Sequence, residues 1–369
     1  MINAKYILVC GLLPAIGAAT GIGVLNPVHS KDSYAVSSRP DVVADNLISA
    51  RIERLDAALD DIVPTDAKIE LLSTGFKWTE GPIWTHEGFL LFAEIPSNSI
   101  RKLGPAGKVN VFLQPSGYTG SAPYEGPEPG SNGMTLDPRG RLTVAGHAGR
   151  NVWRLETLDS HATKTILADT YQGKSLNSPN DLVYRSDGSL YFTDPPYGLR
   201  KQDDTDPQKQ LSFNGVYRIL GAVNQTQRTA PDRSHIQLLI KDLPRPNGIA
   251  FSPDEKYLYV SNSAPRKFWM RYSVNADGTL SNGQIFFDAT SDTRPGAPDG
   301  IKVDQRGNVY GSGPGGIWIF SASGKHLGTI PLPRSAGNLN WGGADGKTLY
   351  ITESDNILSV RLKIPGVRP

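Results

Sequence analysis

Phe76-Lys77-Trp78-Thr79-Glu80-Gly81-Pro82-Ile83-Trp84, followed by Thr85-His86-Glu87-Gly88 and Phe89-Leu90-Leu91-Phe92, reads as strand, turn, strand. Two apolar runs joined by a polar turn that closes on glycine are the pattern of a β-hairpin. The unit returns five more times, led in place of Glu80 by Asn132, Asn180, Asn247, Asp299 and Asn338. Eight residues after the lead stands a turn residue: Gly88, Gly140, Gly188, Glu255, Gly307 and Gly346. A strand follows each turn, as in Ser189-Leu190-Tyr191-Phe192-Thr193 and Thr348-Leu349-Tyr350-Ile351-Thr352.

The steps between lead residues are 52, 48, 67, 52 and 39, close to the length of one four-stranded propeller blade. The spacing therefore predicts an all-β chain, a six-bladed β-propeller over 66–369. Ala67 to Ser73, ahead of the first unit, is placed to complete the last blade and close the ring. Asn46 to Val63 is expected as a short N-terminal helix. Leu47, Ile48, Ile52, Leu55, Leu59 and Ile62 fall on one face, Asp45 is suited to the N-cap and Pro64 ends the segment. Residues 36–65 would then be a linker and this helix.

Composition fits that architecture. The 369 residues include 39 Gly and 28 Pro, spread as turn residues without a tripeptide period, and 38% hydrophobic residues supply a core. A net charge of +2 with no basic run gives no surface for nucleic acid. Residues 1–35 read as a signal peptide: Lys5 precedes an apolar, Ala- and Gly-rich block broken by Pro14. Cys10, the one cysteine, falls inside it. The mature protein is therefore expected in the periplasm or outside the cell, off the membrane and without disulfides.

In a propeller the innermost strands begin at one end of a central channel, so the six leads face one another. Glu80, Asn132, Asn180, Asn247, Asp299 and Asn338 become a ring of oxygen-bearing side chains with two carboxylates. Buried carboxylates need a partner, and oxygen donors without His or Cys favour calcium, with magnesium, manganese or zinc as alternatives.

Thr79-Glu80-Gly81-Pro82, Ser178-Pro179-Asn180-Asp181 with Tyr191-Phe192-Thr193-Asp194-Pro195-Pro196-Tyr197-Gly198, Pro246-Asn247-Gly248-Ile249-Ala250-Phe251 and Ala297-Pro298-Asp299-Gly300 together resemble the gluconolactonase family, which includes regucalcin. The resemblance runs from Leu71 to Leu362 and looks most like the secreted bacterial members. It implies hydrolysis of sugar lactones with one divalent metal near the channel mouth. Glu80, Asn247 and Asp299 would be ligands, and Asn180 a ligand or a contact of the substrate. Asn132, His147 and Tyr197 would also bind the substrate. Ser178 stands where regucalcin-like members carry an arginine.

Lactone hydrolysis needs a polarised carbonyl, an activated water and a place for the oxyanion. Asp299 is the candidate to accept the proton of the attacking water, ahead of Asp181 and Asp194. A phosphotriesterase or another lactonase on the same propeller, and a non-catalytic calcium-binding propeller, are the alternatives. No Gly-x-Ser-x-Gly elbow is present, and Gly311-Ser312-Gly313-Pro314-Gly315-Gly316 joins two strands instead of opening a nucleotide-binding helix. The segment 199–213 reads as a solvated loop, with a pocket cover as the alternative.

Overall fold

Each repeat unit folds as a four-stranded antiparallel sheet, and six such sheets stand around one axis. The computed structural model describes residues 46–104, 107–226 and 235–367. Blade 1 runs through Thr79–Trp84, Leu90–Glu94, Ser99–Leu103 and Val109–Leu113, from the axis outward. The inner strands of blades 2 to 6 are Met134–Leu136, Leu182–Tyr184, Pro246–Phe251, Ile301–Val303 and Ala336–Gly342. Each inner strand touches that of the next blade, and the sixth touches the first, so the ring is closed.

Closure is made by the chain's own beginning. Ile69–Thr74 pairs antiparallel with Asn356–Arg361 as the outer strand of blade 6, as the position of Ala67 to Ser73 suggested.

The hydrophobic residues pack between neighbouring sheets. Ile83, Leu91 and Ile100 of blade 1 meet Met134, Val144 and Trp153 of blade 2. Tyr191 and Val216 of blade 3 meet Ile249, Leu258 and Val260 of blade 4. Phe92 of blade 1 meets Ile357 of blade 6 across the closure. The blades are thus wedges held from both sides, and the polar lead residues are left for the axis.

The expected helix over Asn46 to Val63 does not form. Its place is taken by two short strands, Leu47–Ile48 and Glu53–Arg54, and a 3-10 turn at Ala57–Asp61. Leu47–Ile48 pairs with Ile69 and Glu70 on blade 6, and Glu53–Arg54 with Gly328 and Thr329 on blade 5. Pairing to two exposed sheet edges satisfies backbone groups that a helix would have satisfied internally, and it covers those edges. Ile52, Leu59 and Ile62 are buried as the helical pattern required, but Leu55 is 54% exposed. Asp45 and the signal segment lie outside the described residues. Among the described residues no helix is long and apolar enough to cross a membrane.

Candidate functional site

The lead residues open the inner strands in two ways. Glu80, Asn247 and Asn338 lie within strands whose pairing slips beside them, between Glu80 and Ile83, Pro246 and Ile249, and Ala336 and Asn338. Such bulges turn a side chain out of the regular alternation. Asn132, Asn180 and Asp299 each stand two residues before their strand and donate their backbone N–H to Ala145, Thr193 and Ser312 of the second strand. All six are therefore fixed by backbone pairing at the same end of the channel.

Glycines let the leads of adjacent blades approach. Gly133 donates its N–H to Asn180 O at 2.7 Å, and a Cβ on it would lie 2.6 Å from that oxygen. A Cβ on Gly248 would lie 2.2 Å from Asp299 O.

Five of the side chains in this ring are buried, and two of them leave an acceptor unsatisfied. Glu80 and Asn338 are 2% exposed, Asn180 3%, Asn247 4% and Asn132 5%. Asn247 donates from Nδ2 to Ser263 Oγ at 3.0 Å, which fixes the sense of its amide. Its Oδ1 and the Oδ1 of Asn132 are buried with no hydrogen-bond partner. Orphaned acceptors of this kind are uncommon in native interiors and suit a cation or a polar ligand.

Electrostatics point the same way. Burial pushes the Glu80 carboxyl up to about 8, and the charges of Asp181 and Glu128 add to the shift against a hydrogen bond from Gly81. Asp299 keeps some accessible surface, yet loss of hydration, then the charge of Glu80, raises it well above the usual carboxylate range. Two carboxylates that resist ionising side by side, with amide oxygens around them, match the donor set of a hard divalent cation. Among the described residues no three His, Cys, Asp or Glu side chains gather as a metal cluster, so amide oxygens would have to complete the set.

Other expected site residues are placed as follows. Tyr197 lies beside Ser263 and Asp299, and burial raises its phenol to about 12. Asp194 is fully buried and accepts from the N–H groups of Asn177 and Ser178, both at 2.8 Å, so it anchors the turn that presents Asn180. Ser178 Oγ donates to Pro195 O at 2.6 Å and accepts from Gly198 N at 2.8 Å, which ties it to the loop after the second strand of blade 3. His147 is fully buried, with Nε2 at 2.7 Å from Glu128 Oε2. Residues 199–213 pack down through Leu199 and Leu211, with Arg245 bonded to Asp204 at 2.6 Å.

Two functional candidates were missed in the sequence. Glu128 sits in the irregular stretch between blades 1 and 2, outside any repeat position. Lys302 reaches Asp181 Oδ2 at 3.2 Å and Asn338 Oδ1 at 3.3 Å. A cavity of about 250 Å3 lies beyond Lys302, lined by Leu182, Val183, Phe251, Pro253 and Val367, and none of the six leads borders it.

Residues 78–355 match the profile of the SMP-30/gluconolactonase/LRE-like region. The chain belongs to that family. A gluconolactonase from Zymomonas mobilis is 38% identical over 333 residues, 86% of this chain and 87% of its own. A solved gluconolactonase from Xanthomonas campestris is 29% identical, with a TM-score of 0.71, over 86% of this chain and 96% of that one. A calcium-binding regucalcin from Agrobacterium tumefaciens shares the fold at 17% identity and a TM-score of 0.61, over 81% of this chain and 95% of that one.

Proposed function

We propose that this SMP-30/gluconolactonase family member hydrolyses sugar lactones of the glucono-1,5-lactone type to the aldonic acid, with one divalent cation, calcium first, held by the lead ring. The observation that carries the proposal is the pair of raised carboxyls, Glu80 and Asp299, in a ring where Asn132 and Asn247 leave amide oxygens unpartnered. Family membership and the gluconolactonases among its relatives support the substrate class.

Glu80, Asn180, Asn247 and Asp299 would hold the ion, which supplies Lewis-acid polarisation of the carbonyl and charge to offset the oxyanion. Asp299 accepts a proton from the water that adds to the carbonyl carbon. The bond from that carbon to the ring oxygen then breaks, and the ring oxygen leaves as a hydroxyl carrying the proton that Asp299 took from the water. Asn132 and Tyr197 border the site and orient the ring. The N-terminal apolar segment supports a periplasmic or secreted setting.

The test is a lactone panel assayed with and without chelator, with Asp299→Asn measured separately for turnover and for bound metal. Turnover lost to chelator and restored by calcium is expected, together with a large loss in Asp299→Asn. Full activity in that variant would remove Asp299 from the mechanism. Chelator-induced melting without any turnover in the wild type would point to a structural ion instead.

A further inference from the structure

We infer that Glu128, clamped by the buried His147, is the carboxylate that recognises the hydroxyl groups of the lactone. The inference rests on the sugar-lactone reading above and deepens it by naming a group that selects the sugar.

The site needs such a group, because Ser178 commits its hydroxyl in both directions to Pro195 and Gly198, in the loop after the second strand of blade 3. Glu128 is a carboxylate in the right neighbourhood, since its partner His147 contacts Pro179 O beside the lead Asn180 and lies against Gly198, next to Tyr197. Its side chain is 23% exposed, so it is open to a ligand, whereas His147 behind it has no exposed surface. Oε2 is taken by His147 Nε2 at 2.7 Å, and among the described residues no donor is bonded to Oε1. Vicinal hydroxyls are donors spaced to meet one or two carboxylate oxygens.

The loop is held well enough to act as a recognition surface. Pro127 and Pro129 flank Glu128, which restricts the backbone on either side. Pro129 O accepts from Tyr118 N at 2.7 Å, and Ser131 N donates to Ser116 Oγ at 3.1 Å. The Tyr124 hydroxyl bonds Gly198 O and Arg200 pairs with Glu125, which tie this loop to the segment between the second and third strands of blade 3. His147 is itself steadied by its Nδ1 contact with Pro179 O at 3.4 Å, next to the lead Asn180. Glu128 is thus pre-placed, and ligand binding need not order it.

The experiment compares D-glucono-1,5-lactone with δ-valerolactone, the same ring without hydroxyls, in the wild type, Glu128→Leu, Glu128→Gln and His147→Gln. Bound metal and gluconate binding by calorimetry are measured alongside. Losing charge-assisted hydrogen bonds predicts a rise of about tenfold or more in KM for the sugar lactone in Glu128→Leu, with δ-valerolactone changed less than about twofold. Glu128→Gln should lose less than Glu128→Leu, and His147→Gln should fall between wild type and Glu128→Leu. Gluconate should bind about tenfold more weakly to Glu128→Leu, with metal content unchanged. An equal loss on both lactones, no loss on either, or a fall in bound metal overturns the inference. A wild type that turns over neither lactone but binds gluconate through Glu128 defeats the lactonase reading alone. Absence of both turnover and gluconate binding defeats the two together.

Discussion

Lys302 donates to Asp181 Oδ2 at 3.2 Å inside the channel, so a fixed ammonium offsets the carboxylate that follows the lead Asn180. Lys302 also donates to Ile301 O at 3.1 Å and to Asn338 Oδ1 at 3.3 Å, a three-oxygen cradle. The charge of Asp181 acts on both Glu80 and Asp299. Lys302→Met should therefore destabilise the metal-free protein by about 3 kcal/mol, as expected when one partner of a buried pair is removed. It should also tighten divalent-cation binding, because the ring becomes more negative. Chemical denaturation with chelator and calorimetric titration with calcium read the two effects. A metal-free protein as stable as wild type would show that the pair contributes nothing.

Glu80→Gln should move both quantities the other way. The buried carboxyl of Glu80 costs the folded protein free energy whenever it is ionised without a counter-ion. The amide removes that cost and keeps the shape, so the chelated variant should melt higher than chelated wild type at pH 8. One of the two ring carboxylates is lost, and calcium affinity should fall at least about tenfold. Turnover at saturating calcium should recover more fully than in Asp299→Asn, which also loses the proposed proton acceptor.

The same burial sets a pH dependence. Glu80 rises from 4.5 to about 8 on folding, and Asp194 from 3.8 to about 7, both chiefly through loss of hydration. Folded carboxyls with raised values keep protons that the unfolded chain has released, so stability falls with rising pH across this interval. The contribution is fully present below the unfolded values and is lost as pH passes through the folded ones. Surface carboxylates with lowered values, such as Asp345, act in the opposite sense but only below 3.8. Chelated protein should therefore melt several degrees lower at pH 8.5 than at pH 5.5. Saturating calcium should shrink or reverse that difference, because the ion favours the ionised ring.

What the sequence disclosed follows from what repeats. The leads were legible because six units place them at one offset, and the closing strand was legible because Ala67 to Ser73 stands ahead of the first unit, free to complete the last. Residues 46–63 carried a helical period, but two blade edges offered backbone pairing that local pattern cannot display. Glu128 had no signal, since irregular loops have no register to compare. Lys302 did have one. It stands three residues after its lead, where the other units carry Ile83, Thr135, Val183, Ala250 and Trp341, and a lone ammonium among them marks a charge in need of a partner.

The approach of neighbouring blades yields a final prediction, at Gly248. This residue donates its N–H to Asp299 O at 3.1 Å, and a Cβ there would lie 2.2 Å from that oxygen and 2.6 Å from Ile301 N. Both are backbone atoms, which cannot rotate aside as a side chain would. Gly248→Ala must separate the inner strands of blades 4 and 5, at a cost of about 2 kcal/mol typical of overpacking. The shift falls on two leads at once, because Asn247 and Asp299 flank the contact. Activity should therefore drop more steeply than stability, with calcium affinity falling in parallel. Gly104→Ala is the matched control, since among the described residues its new methyl would meet only Lys108 O at 3.7 Å and should be tolerated. If Gly248→Ala melts lower but keeps wild-type calcium affinity, the ring is not set by this contact, and the positions of Asn247 and Asp299 are governed by their own bulge and turn.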